Sequence, residues 1–186
     1  MFEEILGLPT HPLVVHAPVV LVPMLILLTL AYVFLPFIRS AFIWPYLLLC
    51  LITPGAVFLA RESGLRFEQR QSDSVPLPQE LADQINEHQD YGMMLLWFVS
   101  VLSIVSIFFL ALDWARRRVK ANANAKAAVA SPPTLSTPPA APEPAARGRM
   151  VMMLVSRTVM VILAGVSAWY VYKTGDSGAR MVWSGS

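Results

Sequence analysis

This sequence contains few charged residues and few cysteines. Only 14% of its 186 residues are charged, and Cys50 is its single cysteine. One cysteine excludes an intrachain disulfide framework and any site built from several cysteine ligands. With 56% hydrophobic residues, the chain is neither disordered nor typical of a soluble domain, in which about a quarter of residues are charged. A net charge of +2 is too small to favour nucleic-acid binding.

Catalytic motifs are also missing. The sequence has no recognisable phosphate-binding loop, no Ser-His-Asp set and no pair of carboxylates within an apolar run. A hydrolase is therefore poorly supported. The sequence favours an electron carrier or a subunit of a larger complex over a stand-alone enzyme.

Long apolar runs dominate what is present. They cover about residues 12–38, 41–60, 91–113 and 150–172, and each is close to the roughly 20 residues that a helix needs to cross a bilayer. Since lipid cannot satisfy unpaired backbone groups, helices are expected. The fold class predicted is all-α, a bundle of four transmembrane helices. Glu3 and Glu4 near the start are unlike a signal peptide, so we expect the first run to remain as a span.

The distribution of basic residues predicts the orientation. Between the third and fourth runs the chain is strongly basic, whereas residues 61–90 hold seven acidic and three basic residues. By the positive-inside rule, the basic stretch and the turn at Arg39 are cytoplasmic, and both termini lie outside. We therefore expect a multi-pass protein of the bacterial inner membrane that contacts the lipid bilayer.

Three segments make up the predicted organisation. Residues 1–114 carry the first three helices and an outer loop, 115–148 form an Ala/Pro-rich cytoplasmic linker, and 149–186 carry the fourth helix and an outer tail of the same bundle. The composition of the linker is typical of a disordered spacer, and a docking tail is the alternative. The third helix is expected to begin before the membrane, near Gln79, as an amphipathic extension that carries His88.

All three histidines lie at the predicted outer ends of helices, and two of them on facing helices could hold a haem iron from either side. Gly92, one turn beyond His88, would leave room for a flat macrocycle. Arginines on the same side could pair with its propionates. The preferred ligands are His16 and His88, with His11 as a supporting or alternative ligand. The candidate residues for haem b are His16, His88, Gly92, His11, Arg61 and Arg66.

Two other interpretations remain open for the histidines. One is a copper or other transition-metal site that uses His11, His16 and the soft sulfur of Met93, Met94 or Met181. The other is a set of purely structural histidines in a non-catalytic subunit or assembly factor. A haem protein would exchange electrons with a periplasmic redox protein or a respiratory complex.

Two features of the fourth run carry weaker predictions. Arg157 lies about seven residues into it, and we expect its side chain to snorkel to the cytoplasmic interface. Gly175 either ends the helix, with a frayed tail after it, or opens an amphipathic tail that folds over the outer face.

The chain resembles a widespread family of bacterial four-helix membrane proteins of unknown function. The resemblance rests on His11-Pro12-Leu13-Val14-Val15-His16-Ala17-Pro18, on His88, and on Thr174-Gly175 followed by Gly178-Ala179. It implies the four-helix membrane fold and a respiratory or redox setting. Members often carry histidines in the glycine stretch and near the chain end, where Asp176 and Trp183 stand here.

Overall fold

The computed structural model describes residues 4–5, 8–9, 14–74, 78–129 and 144–183. A two-residue hairpin comes first: β1 (Glu4–Ile5) pairs antiparallel with β2 (Leu8–Pro9). Four helices follow: α1 (His16–Phe34), α2 (Arg39–Ser74), α3 (Gln79–Val129) and α4 (Pro144–Trp183). The all-α prediction is thus confirmed, with the small hairpin as an addition.

A sharp break separates α1 from α2. Pro36 disfavours helical geometry in the residue before it, and Leu35 has φ −113° and ψ 79°. The Leu35 amide still donates to the carbonyl of Ala31 at 2.8 Å, and a short 3-10 turn, Pro36–Ile38, leads into α2. One continuous apolar stretch is thereby folded into two antiparallel helices.

The helices pack as a ring in which each contacts two neighbours. α1 lies against α2 and α4, and α3 lies against the same two helices. Their inward faces form one hydrophobic core, whose largest fully buried side chains include Tyr32, Tyr46 and Phe109. The outward faces carry large exposed apolar side chains such as Leu27 and Ile104. All four helices are long and apolar enough to cross a membrane, which confirms the four predicted spans.

Three of the helices are much longer than a membrane is thick. α2, α3 and α4 have 36, 51 and 40 residues, or about 54, 76 and 60 Å at 1.5 Å per residue, against a core of about 30 Å. The second span was predicted to end near residue 60, but α2 continues to Ser74. The Gln89 side chain donates to the Glu68 carboxylate, so the extension of α2 is joined to that of α3, which begins at Gln79 as predicted.

Both ends of the predicted linker, residues 115–129 and 144–148, are helical. α3 continues to Val129 and α4 begins at Pro144, while 130–143 lie outside the described residues. Alanine, lysine and arginine are strong helix formers, which favours continuation of α3. Proline is well suited to the first helical position, because its missing N–H has no partner there in any case.

Candidate functional site

His88 is held by a serine on a different helix. Its ring lies half-buried on α3, and Nδ1 is 2.9 Å from the Oγ of Ser177 on α4. Ser177 Oγ in turn donates to the carbonyl oxygen of Thr174 at 3.1 Å. With the serine proton donated to Thr174, the serine oxygen accepts from His88 Nδ1–H, and the neutral ring then carries its lone pair on Nε2. With the serine proton donated to Nδ1 instead, the ring carries its proton on Nε2.

A glycine makes this approach possible. A Cβ placed at Gly178 would lie 3.2 Å from His88 Cε1 and 3.6 Å from Nδ1, which is tighter than ordinary van der Waals contact. At Gly92, which the sequence reasoning singled out, a Cβ would meet nothing within 4 Å. The glycine that the packing of the protein requires beside His88 is therefore on α4.

The glycine stretch is helical, so the predicted helix end at Gly175 is wrong. α4 runs through Gly175 and Gly178 to Trp183, and Arg180 bonds Asp176 one turn earlier at 2.8 Å. Because the helix does not end, Ser177 and Gly178 are carried along the flank of α3 to the level of His88. Tyr170 stacks on Phe98 of α3, with ring centroids 5.2 Å apart, two turns before this contact.

The other candidate haem residues belong to other parts of the chain than α3 and α4. His16 is the first residue of α1 and is exposed, while His11 lies outside the described residues. On α2, half-buried Arg61 bonds the adjacent Glu62 at 3.0 Å and Arg66 is exposed. Within the described ranges, no three His, Cys, Asp or Glu side chains gather into a metal-binding group. The structure brings His88 together with α4.

A second polar site, which the sequence reasoning missed, lies where α1 turns into α2. Arg39 is 4% exposed. Its Nε donates to the carbonyl of Tyr32 at 2.8 Å and its Nη2 to that of Val33 at 3.1 Å. These carbonyls belong to the last turn of α1, which has no intrahelical partner for them. Arg39 thus caps α1, while its Nη1 lies 3.7 Å from Asp113 Oδ1 on α3.

Two more arginines surround this pair. Arg117 Nε lies 2.9 Å from Asp113 Oδ2. The Arg157 guanidinium lies 5.7 Å from the Phe109 ring centroid, and that of Arg39 lies 5.4 Å from the same centroid. We call Arg39, Asp113, Arg117 and Arg157 the arginine cluster. The sequence signal for this cluster is Asp113, a lone acidic residue at the end of an apolar run.

The predicted snorkelling of Arg157 to the cytoplasmic interface stays a prediction. The side chain of Arg157 is only half exposed, and its Nε is buried with no hydrogen-bond partner in the part of the chain that the structure describes. Met153 and Met160, which lie on the same side of α4 as Arg157, are both buried. The face that carries Arg157 is turned toward α3 and its Phe109 ring.

Hydroxyl groups connect three helices between the two sites. The Tyr46 hydroxyl of α2 lies 2.8 Å from Ser106 Oγ of α3 and 3.1 Å from Thr29 Oγ1 of α1. Thr29 in turn donates to the Leu25 carbonyl at 2.7 Å. All three hydroxyl-bearing residues are fully buried. Such satisfied polar contacts fix the relative register of helices in a lipid environment.

The family model described as a predicted membrane protein (DUF2231) matches residues 7–137. The chain belongs to the DUF2231 family. The match covers the histidine-containing opening, His88 and Asp113, and ends before α4 begins at Pro144. No curated protein and no solved structure matches the chain.

The DUF2231 match covers part of each polar site. Arg39, Asp113 and Arg117 of one site and His88 of the other lie within the matched residues. Arg157, Ser177 and Gly178 lie beyond them. The family description itself supports a membrane protein and names no cofactor.

Proposed function

We propose that this DUF2231 member is a haem-b-binding protein of the bacterial inner membrane that transfers electrons at its periplasmic face. His88 would be one of the residues that hold the haem iron. The observation that carries this is the contact between His88 Nδ1 and Ser177 Oγ. Metal-ligating histidines almost always donate their other ring N–H to an oxygen, which fixes the tautomer and makes the ligating nitrogen more basic.

The donor set fits haem b by its chemistry. A second imidazole could come from His16, the first residue of α1, or from His11, which lies outside the described residues. α1 packs against the same α4 that holds His88 through Ser177. Arg61 and Arg66 of α2 supply cations that could pair with propionates. When bound, haem supplies an iron that can take up and release one electron.

Each side chain has a separate task in this proposal. Ser177 holds the Nδ1 proton of His88 and orients the ring. Gly178 lets the ring approach α4 closely, since a Cβ there would lie 3.2 Å from His88 Cε1. His88 lies near the end of the bundle that the charge distribution places outside, so a periplasmic redox protein or a respiratory complex could reach it.

The test is an oxidised-minus-reduced absorption spectrum of the detergent-purified full chain, produced with a haem precursor. We expect a Soret and alpha-band difference that His88→Ala abolishes. Ser177→Ala should retain haem less firmly, since loss of such an outer partner costs about 10- to 100-fold in metal affinity. His16→Ala and His11→Ala, made separately, identify the second ligand. Asp90→Asn, an exposed neighbour of His88, is the matched control and should leave the spectrum unchanged.

Two results would replace this proposal with another function. Stoichiometric copper without porphyrin, lost in His11→Ala or His16→Ala, would indicate a metal-handling protein. A colourless, metal-free, well-folded protein that co-purifies with a fixed partner would indicate a non-catalytic subunit or assembly factor.

A further inference from the structure

The arginine cluster and His88 lie about one membrane thickness apart. On α4, Arg157 precedes Ser177 by 20 residues, and on α3 Asp113 follows His88 by 25 residues. At 1.5 Å per residue these separations are about 30 and 38 Å, against a hydrocarbon core of about 30 Å. With His88 near one membrane surface, the arginine cluster lies near the other, at the depth of the lipid headgroups.

The cluster has more positive charge than its own carboxylate can balance. Its three guanidinium groups face one acid, Asp113, and both carboxylate oxygens are already engaged, Oδ1 by Arg39 and Oδ2 by Arg117. Arg157 is left without a carboxylate among the described residues, and its buried Nε has no partner there. A buried charge is costly unless an opposite charge and hydrogen bonds compensate it.

Arg116 of α3 adds a further cation next to α4. Its Nη1 lies 3.9 Å from the sulfur of Met153, one helical turn from Arg157. An arginine of α3 thus lies beside the stretch of α4 that carries Arg157, at the expected headgroup depth. Planar guanidinium groups bind phosphate oxygens through paired hydrogen bonds, and basic pockets between membrane helices are known to hold anionic headgroups.

We propose that the arginine cluster binds a phosphate-bearing anion, with Arg157 as its principal donor and Arg116 beside it. The phosphodiester of an anionic phospholipid has the right charge and lies at the right depth. Inorganic phosphate from the aqueous side carries the same chemistry. This inference is independent of haem, because it rests on residues at the opposite end of the bundle from His88.

The test measures thermal unfolding of the full chain in a neutral detergent as phosphatidylglycerol, phosphatidylcholine or inorganic phosphate is added. Because a ligand that binds only the folded state raises its stability, we expect phosphatidylglycerol to raise the Tm saturably and phosphatidylcholine to leave it unchanged. In Arg157→Gln the apparent affinity for phosphatidylglycerol should fall about tenfold or more, since hydrogen bonds to charged groups contribute about 1.5–3 kcal/mol.

Arg147→Gln is the matched control. It removes the same charge from the same helix at an exposed position, and should leave the response to phosphatidylglycerol unchanged. Without lipid, Arg157→Gln should unfold at the same or a higher temperature than the parent, because an uncompensated charge is gone. Arg157→Lys keeps the charge but loses the planar fork, and should show an intermediate affinity.

Equal stabilisation by both lipids, or equal loss of affinity in Arg157→Gln and Arg147→Gln, would overturn the proposal, because either would mean unspecific attraction. The measurement with inorganic phosphate shows whether the bound phosphate group comes from a lipid or from solution. Competition with phosphatidylglycerol would support a site that also takes phosphate from solution. Absence of competition, with the lipid response intact, would support a lipid site.

Discussion

Arg39 at the start of α2 and Asp113 on α3 form a buried ion pair, with Nη1 and Oδ1 3.7 Å apart and side chains 5% and 9% exposed. The same arginine caps the last turn of α1. Three helices are therefore tied together at one end of the bundle by a single guanidinium. Such an arrangement is expected to be sensitive to the loss of either partner.

Removal of the carboxylate should destabilise the bundle strongly. Asp113→Ala leaves Arg39 buried without its counter-charge, and breaking a buried pair in this way costs about 3–5 kcal/mol. The measurement is denaturant-induced unfolding in detergent. Asp83→Ala, which changes an exposed acid on the same helix, should alter stability by no more than about 0.5 kcal/mol. If the two variants unfold alike, the pair contributes nothing.

Two glycines of α4 should respond to alanine with opposite signs. At Gly178 a Cβ would press on His88 Cε1 at 3.2 Å, and overpacking of this kind costs about 1–3 kcal/mol. At Gly175 nothing lies within 4 Å, so alanine should stabilise the helix by about 0.5–1 kcal/mol. Paired thermal unfolding curves of Gly178→Ala and Gly175→Ala test this. A stabilised Gly178→Ala would mean that His88 does not pack there.

The tautomer of His88 should depend on Ser177. We expect the Ser177 proton to go to the Thr174 carbonyl, so that the serine oxygen accepts from His88 Nδ1–H and the neutral ring carries its proton on Nδ1. Nitrogen NMR of labelled histidine in the full chain without haem should show that protonated nitrogen, and in Ser177→Ala the preference should be lost. Ser100→Ala on α3 is the control. Protonation on Nε2 in the parent protein would contradict the assignment.

The orientation inferred from charge can be measured directly. In a Cys50→Ser background, Ser72→Cys on the extension of α2 and Ala123→Cys on the extension of α3 place single thiols at exposed positions. In intact cells, a membrane-impermeant thiol reagent should label position 72 and spare position 123. The reverse pattern would invert the topology and place His88 on the cytoplasmic side.

The length of α2 explains one failure of sequence reasoning. The polar residues after Ala60 predict that the second membrane span ends there. The apolar run does end near Ala60, but the helix does not. α2 continues to Ser74 because it packs beside α3 outside the apolar region, where Glu68 and Gln89 meet. The composition indicates where the apolar part of a helix ends, whereas the end of the helix itself depends on its packing against the neighbouring helix.

The sequence alone determined the four spans, their approximate bounds and the early start of α3. These features follow from local hydrophobicity and helix propensity, since lipid leaves few structures available to an apolar run. Only the tertiary structure decided which groups meet. His88 faces Ser177 across 89 residues, and Arg39 faces Asp113 across 74. Such pairs depend on the rotation and register of whole helices, which hydrophobic periodicity does not determine when all sides of a helix are apolar.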